Sequence, residues 1–211
     1  ELRTDTIMLA QYDKTNKAVN VLQIPRDTKI DTKRSDKKIN SAFVQVSKKE
    51  FYSAIESLTG IEVDKYVMIN TKAFREVVDA IGGVKFNVPI DMNYDDPTQD
   101  LHIHLKKGEQ VLDGAKAEGV VRFRHNNDGT GYPGQDLDRM KTQQDFIMAV
   151  LDKALSIGNI SKVPTYYGIF KENVETNLSA KQVTSLMTEM LTINKENIQF
   201  HQLPGEASYI G

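Results

Sequence analysis

Two hydrophobic periods alternate along this chain, and that alternation restricts its fold more than any single residue does. Residues 4–12 (TDTIMLAQY) and 18–24 (AVNVLQI) are apolar and β-rich, with a turn at 13–17 between them. That pattern predicts a hairpin. Pro25 ends the second strand because it has no N–H for a ladder, and 26–40 is polar enough to read as a loop. Ser47-Lys48-Lys49-Glu50 has the pattern of a capping box and opens a helix that runs to Gly60. Residues 65–70 read as a strand. In 71–81, Phe74, Val77, Val78 and Ile81 fall at helical spacing, with Gly82 closing the helix. Beyond it, 84–90 is a strand, 91–100 a turn-rich loop, 101–105 a short strand, 114–123 a helix and 126–135 a glycine-rich loop. The strongest helix is 137–157, where Met140, Ile147, Val150, Leu151 and Ala154 form one stripe. A second capping pattern, Ser179 with Gln182, opens a helix over 179–193, and 198–203 is a last strand. Strand and helix in turn predict an α/β fold, a three-layer α-β-α sandwich around a mixed, central β-sheet. With 211 residues and no linker or repeat, one domain over 1–211 is expected.

The chemistry is bounded by what is missing. There is no cysteine, which excludes disulfides, thiolate catalysis and Cys-based metal sites. A net charge of −2 argues against nucleic-acid binding by bulk charge, so any anion site is local. No apolar run approaches the ~18 residues that cross a bilayer. The chain starts at Glu1-Leu2-Arg3, directly before a strand, and reads as a domain excised from a longer protein with an anchor upstream.

The basic residues divide unevenly into 20 lysines and 7 arginines. The lysines are scattered over polar faces. Five arginines sit at element ends: Arg3, Arg26, Arg122, Arg124 and Arg139. Binding loops converge at such ends in α/β sheets, and planar guanidinium groups suit bidentate phosphate recognition. Each arginine alone is equally well read as a salt-bridge partner; five together point to an anion of the pyrophosphate type. Asp5 shares a strand face with Arg3, where a carboxylate beside pyrophosphate suits Mg²⁺, or a local salt bridge. Gly129, Gly131 and Gly134 match the dinucleotide fingerprint in form, but no βαβ unit surrounds them and Pro133 interrupts them, so that reading is rejected. The loop still offers N–H groups to an anion at a helix start. His102 and His104 alternate on a strand, as a metal-sharing pair or, with more weight, as an exposed face. His125 adjoins Arg124, and His201 has no evident partner. No Gly-x-Ser-x-Gly elbow is present.

With these residues in place, the chain resembles the LytR-CpsA-Psr family of Gram-positive cell-envelope proteins. Four segments carry the resemblance: 3–9 (RTDTIML); 24–28 (IPRDT) with 38–40 (KIN); 121–124 (VRFR); and 136–144 (DLDRMKTQQ). It covers about 3–155. The resemblance implies a membrane-anchored catalytic domain outside the cytoplasm. It implies transfer of a phosphorylated glycopolymer, such as wall teichoic acid or capsule, from undecaprenyl pyrophosphate to a peptidoglycan sugar hydroxyl. Carried over by motif, Arg26, Arg122, Arg124 and Arg139 hold the pyrophosphate, Asp5 helps coordinate Mg²⁺, and Arg3, Lys38 and Gln143 line the site. The stripe on 137–157 is core or, alternatively, a wall for the lipid chain. The chain departs from the family pattern in three places. The second metal-linked carboxylate, some ten residues before Asp5, is not within it. Asp138 replaces the glycine before Arg139 and puts beside it a negative charge that partly neutralises it. The loop between Arg124 and Arg139 is longer.

Phosphoryl transfer is mainly positioning and charge neutralisation, which arginines supply. Asp5 and Asp27 are both candidates for the base that takes the acceptor proton. Two other functions fit the same residues: a polyprenyl-pyrophosphate hydrolase with water as acceptor, and a non-catalytic regulator that binds the lipid carrier or wall polymer.

Overall fold

A computed structural model describes residues 6–31, 37–156 and 162–205. The chain falls into two compact units, one made of the segments up to Tyr66 and from Thr192 onward, the other Val67–Leu191.

In the first unit, β1 (Ile7–Asp13) and β2 (Ala18–Ile24) form the expected hairpin, in register from Ile7 against Ile24 to Asp13 against Ala18. Its turn closes on the Asp13 carboxylate, which accepts the N–H groups of Thr15 (2.8 Å) and Asn16 (3.1 Å). These bonds, that from Asn16 foremost, lower the Asp13 pKa. The last strand, β9 (Ile198–Gln202), lies parallel to β2 on its other edge, which makes the sheet mixed. The sequence left 26–40 as a loop, but a short helix, α1 (Ile39–Gln45), begins inside it. Ile39 is fully buried, so a tertiary contact secures a start that has no side-chain cap. Helix α2 (Lys48–Thr59) starts where Ser47 Oγ accepts the Glu50 N–H (3.2 Å) and stops at Gly60, whose φ of 71° only glycine adopts freely. Phe43 packs edge-on against Phe51 (5.1 Å) and Tyr66 (5.4 Å). Lys48 Nζ sits 3.3 Å from the Phe43 ring centre, a cation–π contact.

The second unit runs β3 (Val67–Ile69), α3 (Thr71–Ala80), β4 (Val84–Val88), β5 (Met92–Asp96), β6 (Leu101–Leu105), β7 (Gly108–Leu112), α4 (Gly114–Arg122), α5 (Asp136–Ala154), α6 (Val163–Asn173), β8 (Val174–Thr176) and α7 (Ala180–Met190). The capping box of Ser179 and Gln182 opens α7 in both directions. One expectation changes, and one strand was not expected. Residues 91–100, expected as a loop, contain β5, which pairs antiparallel with β6. Residues 108–112 form β7, paired antiparallel with β4. Both strands are too polar outward to show an apolar alternation. The described strands lie in one three-stranded and three two-stranded sheets, and the class is mixed α/β.

Phe146 on α5 is fully buried at the centre of this unit, against Phe74 (6.2 Å) and Phe86 (5.0 Å). Around it, Val78, Ile81, Val84, Val88, Met92, Ile103, Leu112, Val120 and Phe123 close one core. Of the stripe expected on α5, the partly buried Val150 and Ala154 pack against this core, and Met140 is buried. Helices α3 and α4 touch backbone to backbone at Gly114. A Cβ there lies 2.5 Å from the Arg75 carbonyl oxygen, and the Gly114 N–H donates to Asp79 (2.7 Å). We expect Gly114→Ala to destabilise the protein by about 1–3 kcal/mol, since backbone cannot yield as a side chain does. Gly168, exposed within α6 with open space at its Cβ position, gives the opposite sign: Gly168→Ala stabilises by about 0.5–1 kcal/mol. Urea denaturation of the two variants checks both.

Candidate anion site

The C-terminal end of α4 carries the arginine pair. Glu118, one turn before Arg122, is buried; its side chain is 3% exposed. An isolated carboxylate in that position is strongly unfavourable, and two guanidinium groups compensate it. Arg122 Nη1 donates to Glu118 Oε1 (2.9 Å), and Arg75, reaching over from α3, donates to Glu118 Oε2. Arg122 is fixed further by Nη2 donating to Gln99 Oε1 (2.8 Å) in the turn between β5 and β6. Arg122 is thus held at both ends of its fork, 18% exposed, while Arg124 beyond the buried Phe123 is exposed.

Arg139 lies in the second turn of α5. Its Nη2 pairs with Asp136 (2.6 Å), and its Nε is buried without an acceptor among the described residues. The sequence suggested that Asp138 offsets Arg139. Instead, Asp138 accepts the N–H of Gly134 (2.7 Å), and Asp136 is the partner. That bond also corrects the loop's expected role. Gly134, Gly129 and Thr130 spend their N–H groups on Asp138, Asn126 and Asp128, so these three are not presented to a ligand.

Two contacts join the arginine segments. Gln143, expected to line the site, is buried and donates from Nε2 to the Val121 carbonyl (2.8 Å), beside Arg122. Tyr132 of the loop packs edge-on against Phe123 (5.6 Å). Burial, opposed in part by the charge of Arg139, raises the pKa of Tyr132, which keeps its proton at neutral pH.

In the other unit, Arg26 and Asp27 occupy the turn after β2, closed by the Thr28 N–H donating to the Pro25 carbonyl (2.9 Å). Asp27 takes Lys38 Nζ at 3.3 Å and lies 4.0 Å from Arg26 Nε. The 24–28 and 38–40 motifs are therefore one cluster, tied also by Asn40 N–H to the Arg26 carbonyl (3.2 Å) and by the bridge between Lys29 and Lys38. Arg3 and Asp5 lie outside the described residues.

Sequence reasoning missed Glu118, Arg75, Gln99 and Tyr132. Glu118 had a legible signal, the i,i+4 spacing to Arg122 on a predicted helix; the others depend on contacts remote in sequence. His201, which had no evident partner, meets Asn20 Oδ1 at 3.3 Å, and His125 stacks edge-on with Tyr94 (5.6 Å). No helix among the described residues is long and apolar enough to cross a membrane.

Comparison with known proteins places this arrangement. The chain is 31% identical over 214 residues to the polyisoprenyl-teichoic acid–peptidoglycan teichoic acid transferase TagV of Bacillus subtilis, covering 99% of the chain and 54% of TagV. It is 27% identical over 210 residues to TagU of the same organism, a transferase of the same description, covering 99% of the chain and 65% of TagU. The chain thus spans about half to two thirds of the length of these curated relatives. The crystal structure of B. subtilis TagV superposes with a TM-score of 0.77 at 29% identity, over 99% of this chain and 80% of that one. The LytR_cpsA_psr family matches residues 1–211, and with the arginine segments in these positions, the chain belongs to that family.

Proposed function

We propose that this chain is the catalytic domain of a phosphotransferase. It moves a phosphorylated glycopolymer, of the wall teichoic acid or capsule class, from a polyprenyl-pyrophosphate carrier to a peptidoglycan sugar hydroxyl at the outer face of the cell membrane. The observation that carries the reading is Arg122, held in place by the buried Glu118 carboxylate and by Gln99, two residues before the exposed Arg124. The names of the TagV and TagU relatives support the polymer and the acceptor. A single domain over 1–211, an α-β-α layering and an upstream membrane anchor belong to the same proposal.

In this reading the acceptor hydroxyl attacks the phosphorus that bears the polymer. The P–O bond to the carrier breaks, and polyprenyl phosphate leaves. Arg122 and Arg124 take the charge that grows on the transferring oxygens. Their preorganisation matters, because a guanidinium already held in place costs no reorganisation as charge develops. By motif, Arg139, whose Nε is buried without an acceptor among the described residues, and Arg26 are further proposed pyrophosphate ligands, and Lys38 and Arg3 are proposed to line the site. Gln143 acts through Val121 as a positioning residue. Asp5 and Asp27 are the two candidates for the base that takes the acceptor proton, and Asp27 is ion-paired with Lys38.

Mg²⁺, when bound, supplies further neutralisation of phosphate charge. Asp5 is its proposed ligand. The described residues proposed for the site add no free carboxylate to it, since Asp27 and Asp136 are committed to cations.

Arg122→Ala and Arg124→Ala should each slow transfer about 10²–10³-fold, the usual cost of removing one preorganised donor; circular dichroism should be unchanged in Arg124→Ala, whereas Arg122→Ala also loses stability because it uncovers Glu118. The assay follows polymer transfer from a synthetic polyprenyl-pyrophosphate donor to peptidoglycan oligomers. Unaltered transfer by both variants overturns the assignment, and release of polymer phosphate that needs no peptidoglycan identifies a hydrolase. In the same assay EDTA should abolish transfer and Mg²⁺ restore it; full rates in EDTA remove the metal from the reading.

A further inference from the structure

The β5–β6 hairpin carries a cluster that the transfer chemistry does not use. Strand register places Asp95 opposite His102 and Asn93 opposite His104. All four side chains stand on the outward face, because Leu101, Ile103 and Leu105, which alternate with the histidines, are buried. Asp95 Oδ1 is hydrogen-bonded to His102 Nδ1 (2.5 Å), a bond that a cation between them would replace, and lies 3.3 Å from His104 Nε2. The ligand atoms of these three residues all fall within 4.8 Å of one another.

His104 is oriented from outside this group. Its Nδ1 lies 2.6 Å from Asn93 Oδ1, an acceptor, so the ring proton belongs on Nδ1. In the neutral ring Nε2 then presents a lone pair to the Asp95 carboxylate. Two lone pairs facing each other repel unless a proton or a cation lies between them. The 3.3 Å gap is the separation of two ligands about 2.0 Å from one tetrahedral ion. A fixed outer partner on the second ring nitrogen is also the usual companion of a metal-binding histidine. Two imidazoles and one carboxylate select a borderline divalent cation over Mg²⁺ or Ca²⁺, which prefer all-oxygen shells.

The backbone of the same residues grips the 126–135 loop. Asn93 N–H donates to Asn126 Oδ1 (2.6 Å), and Asp95 N–H to Asn127 Oδ1 (2.7 Å). Asn127 returns bonds to the Asp95 carbonyl (3.0 Å) and the Asn93 carbonyl (3.2 Å). The hairpin turn also holds Arg122 through Gln99. We propose that Asp95, His102 and His104 bind one zinc-class divalent cation, and that its binding steadies the loop between Arg124 and Arg139. Neither part depends on the transferase reading.

The test titrates zinc into the tag-free, full-length protein in Mg²⁺-containing buffer by calorimetry. One ion per chain should bind. The imidazole signals of His102 and His104 should shift while those of His125 and His201 stay. The His102→Ala/His104→Ala double variant, altered only at exposed positions, should lose at least about tenfold in affinity, the scale set by metal-site disruption. Zinc should slow amide exchange at Asn126, Asn127 and Thr130 in the wild type and not in the double variant. Absence of binding below millimolar zinc, or equal affinity in the double variant, overturns the site. Binding with unchanged exchange in the loop overturns the coupling. Asp95→Asn, which keeps the shape and removes the charge, repeats the comparison should the double variant lose its fold.

Discussion

A buried carboxylate must be neutralised where it sits, and Glu118 imposes that requirement on its surroundings. Its two oxygens draw in Arg75 from α3 and Arg122 from its own helix. Removing one partner from such a buried pair typically costs about 3–5 kcal/mol, so the arrangement is a strong constraint on how α3 and α4 meet. Gly114 makes the meeting possible by letting the first turn of α4 rest on the backbone of Arg75. The outcome is an arginine whose position is set by the fold before any ligand arrives. A surface arginine on a flexible stem would have to surrender side-chain entropy at each encounter.

The same economy of contacts recurs along the 121–143 segment. Phe123 is buried between two arginines and receives Tyr132 from the loop, while Gln143 reaches back from α5 to Val121. Helix α5 thus does two jobs with two faces: Phe146 fills the core, and Gln143, one turn earlier, braces the arginine segment. The acidic residues of its first turn are similarly divided. Asp136 answers Arg139, and Asp138 caps the incoming loop at Gly134.

Much of this was legible beforehand. The hairpin at the start, α2 and its Ser47 cap, α3 and the capping box of α7 follow from local rules of periodicity and end chemistry, and the structure has them. The four motif segments named the family, because the order and spacing of rare residue types survive where overall identity is near 30%. Strands β5 and β7 were not legible. Their outward residues are polar or charged and the strands are short, so the alternation that marks a strand is faint and only the partner strand completes it. Helix α1 was hidden in a polar stretch because it is held by the burial of Ile39, not by its own propensity or a cap.

Sequence alone determined which residue types were available for chemistry: no thiols, few arginines, and most of those at element ends. It also determined the local elements whose signals lie within a few residues of one another. Tertiary structure decided which arginine meets which carboxylate. The Arg75–Glu118 contact spans 43 residues, and the Asn126–Asn93 contact spans 33. Asp138 looked like the neighbour that would neutralise Arg139, yet the turn of the helix gave that place to Asp136 and turned Asp138 toward the loop. Proximity along the chain sets what a side chain can reach. The packing of α3, α4, α5 and the β5–β6 hairpin selects the contact that is made, because each buried polar group must find its partner in three dimensions.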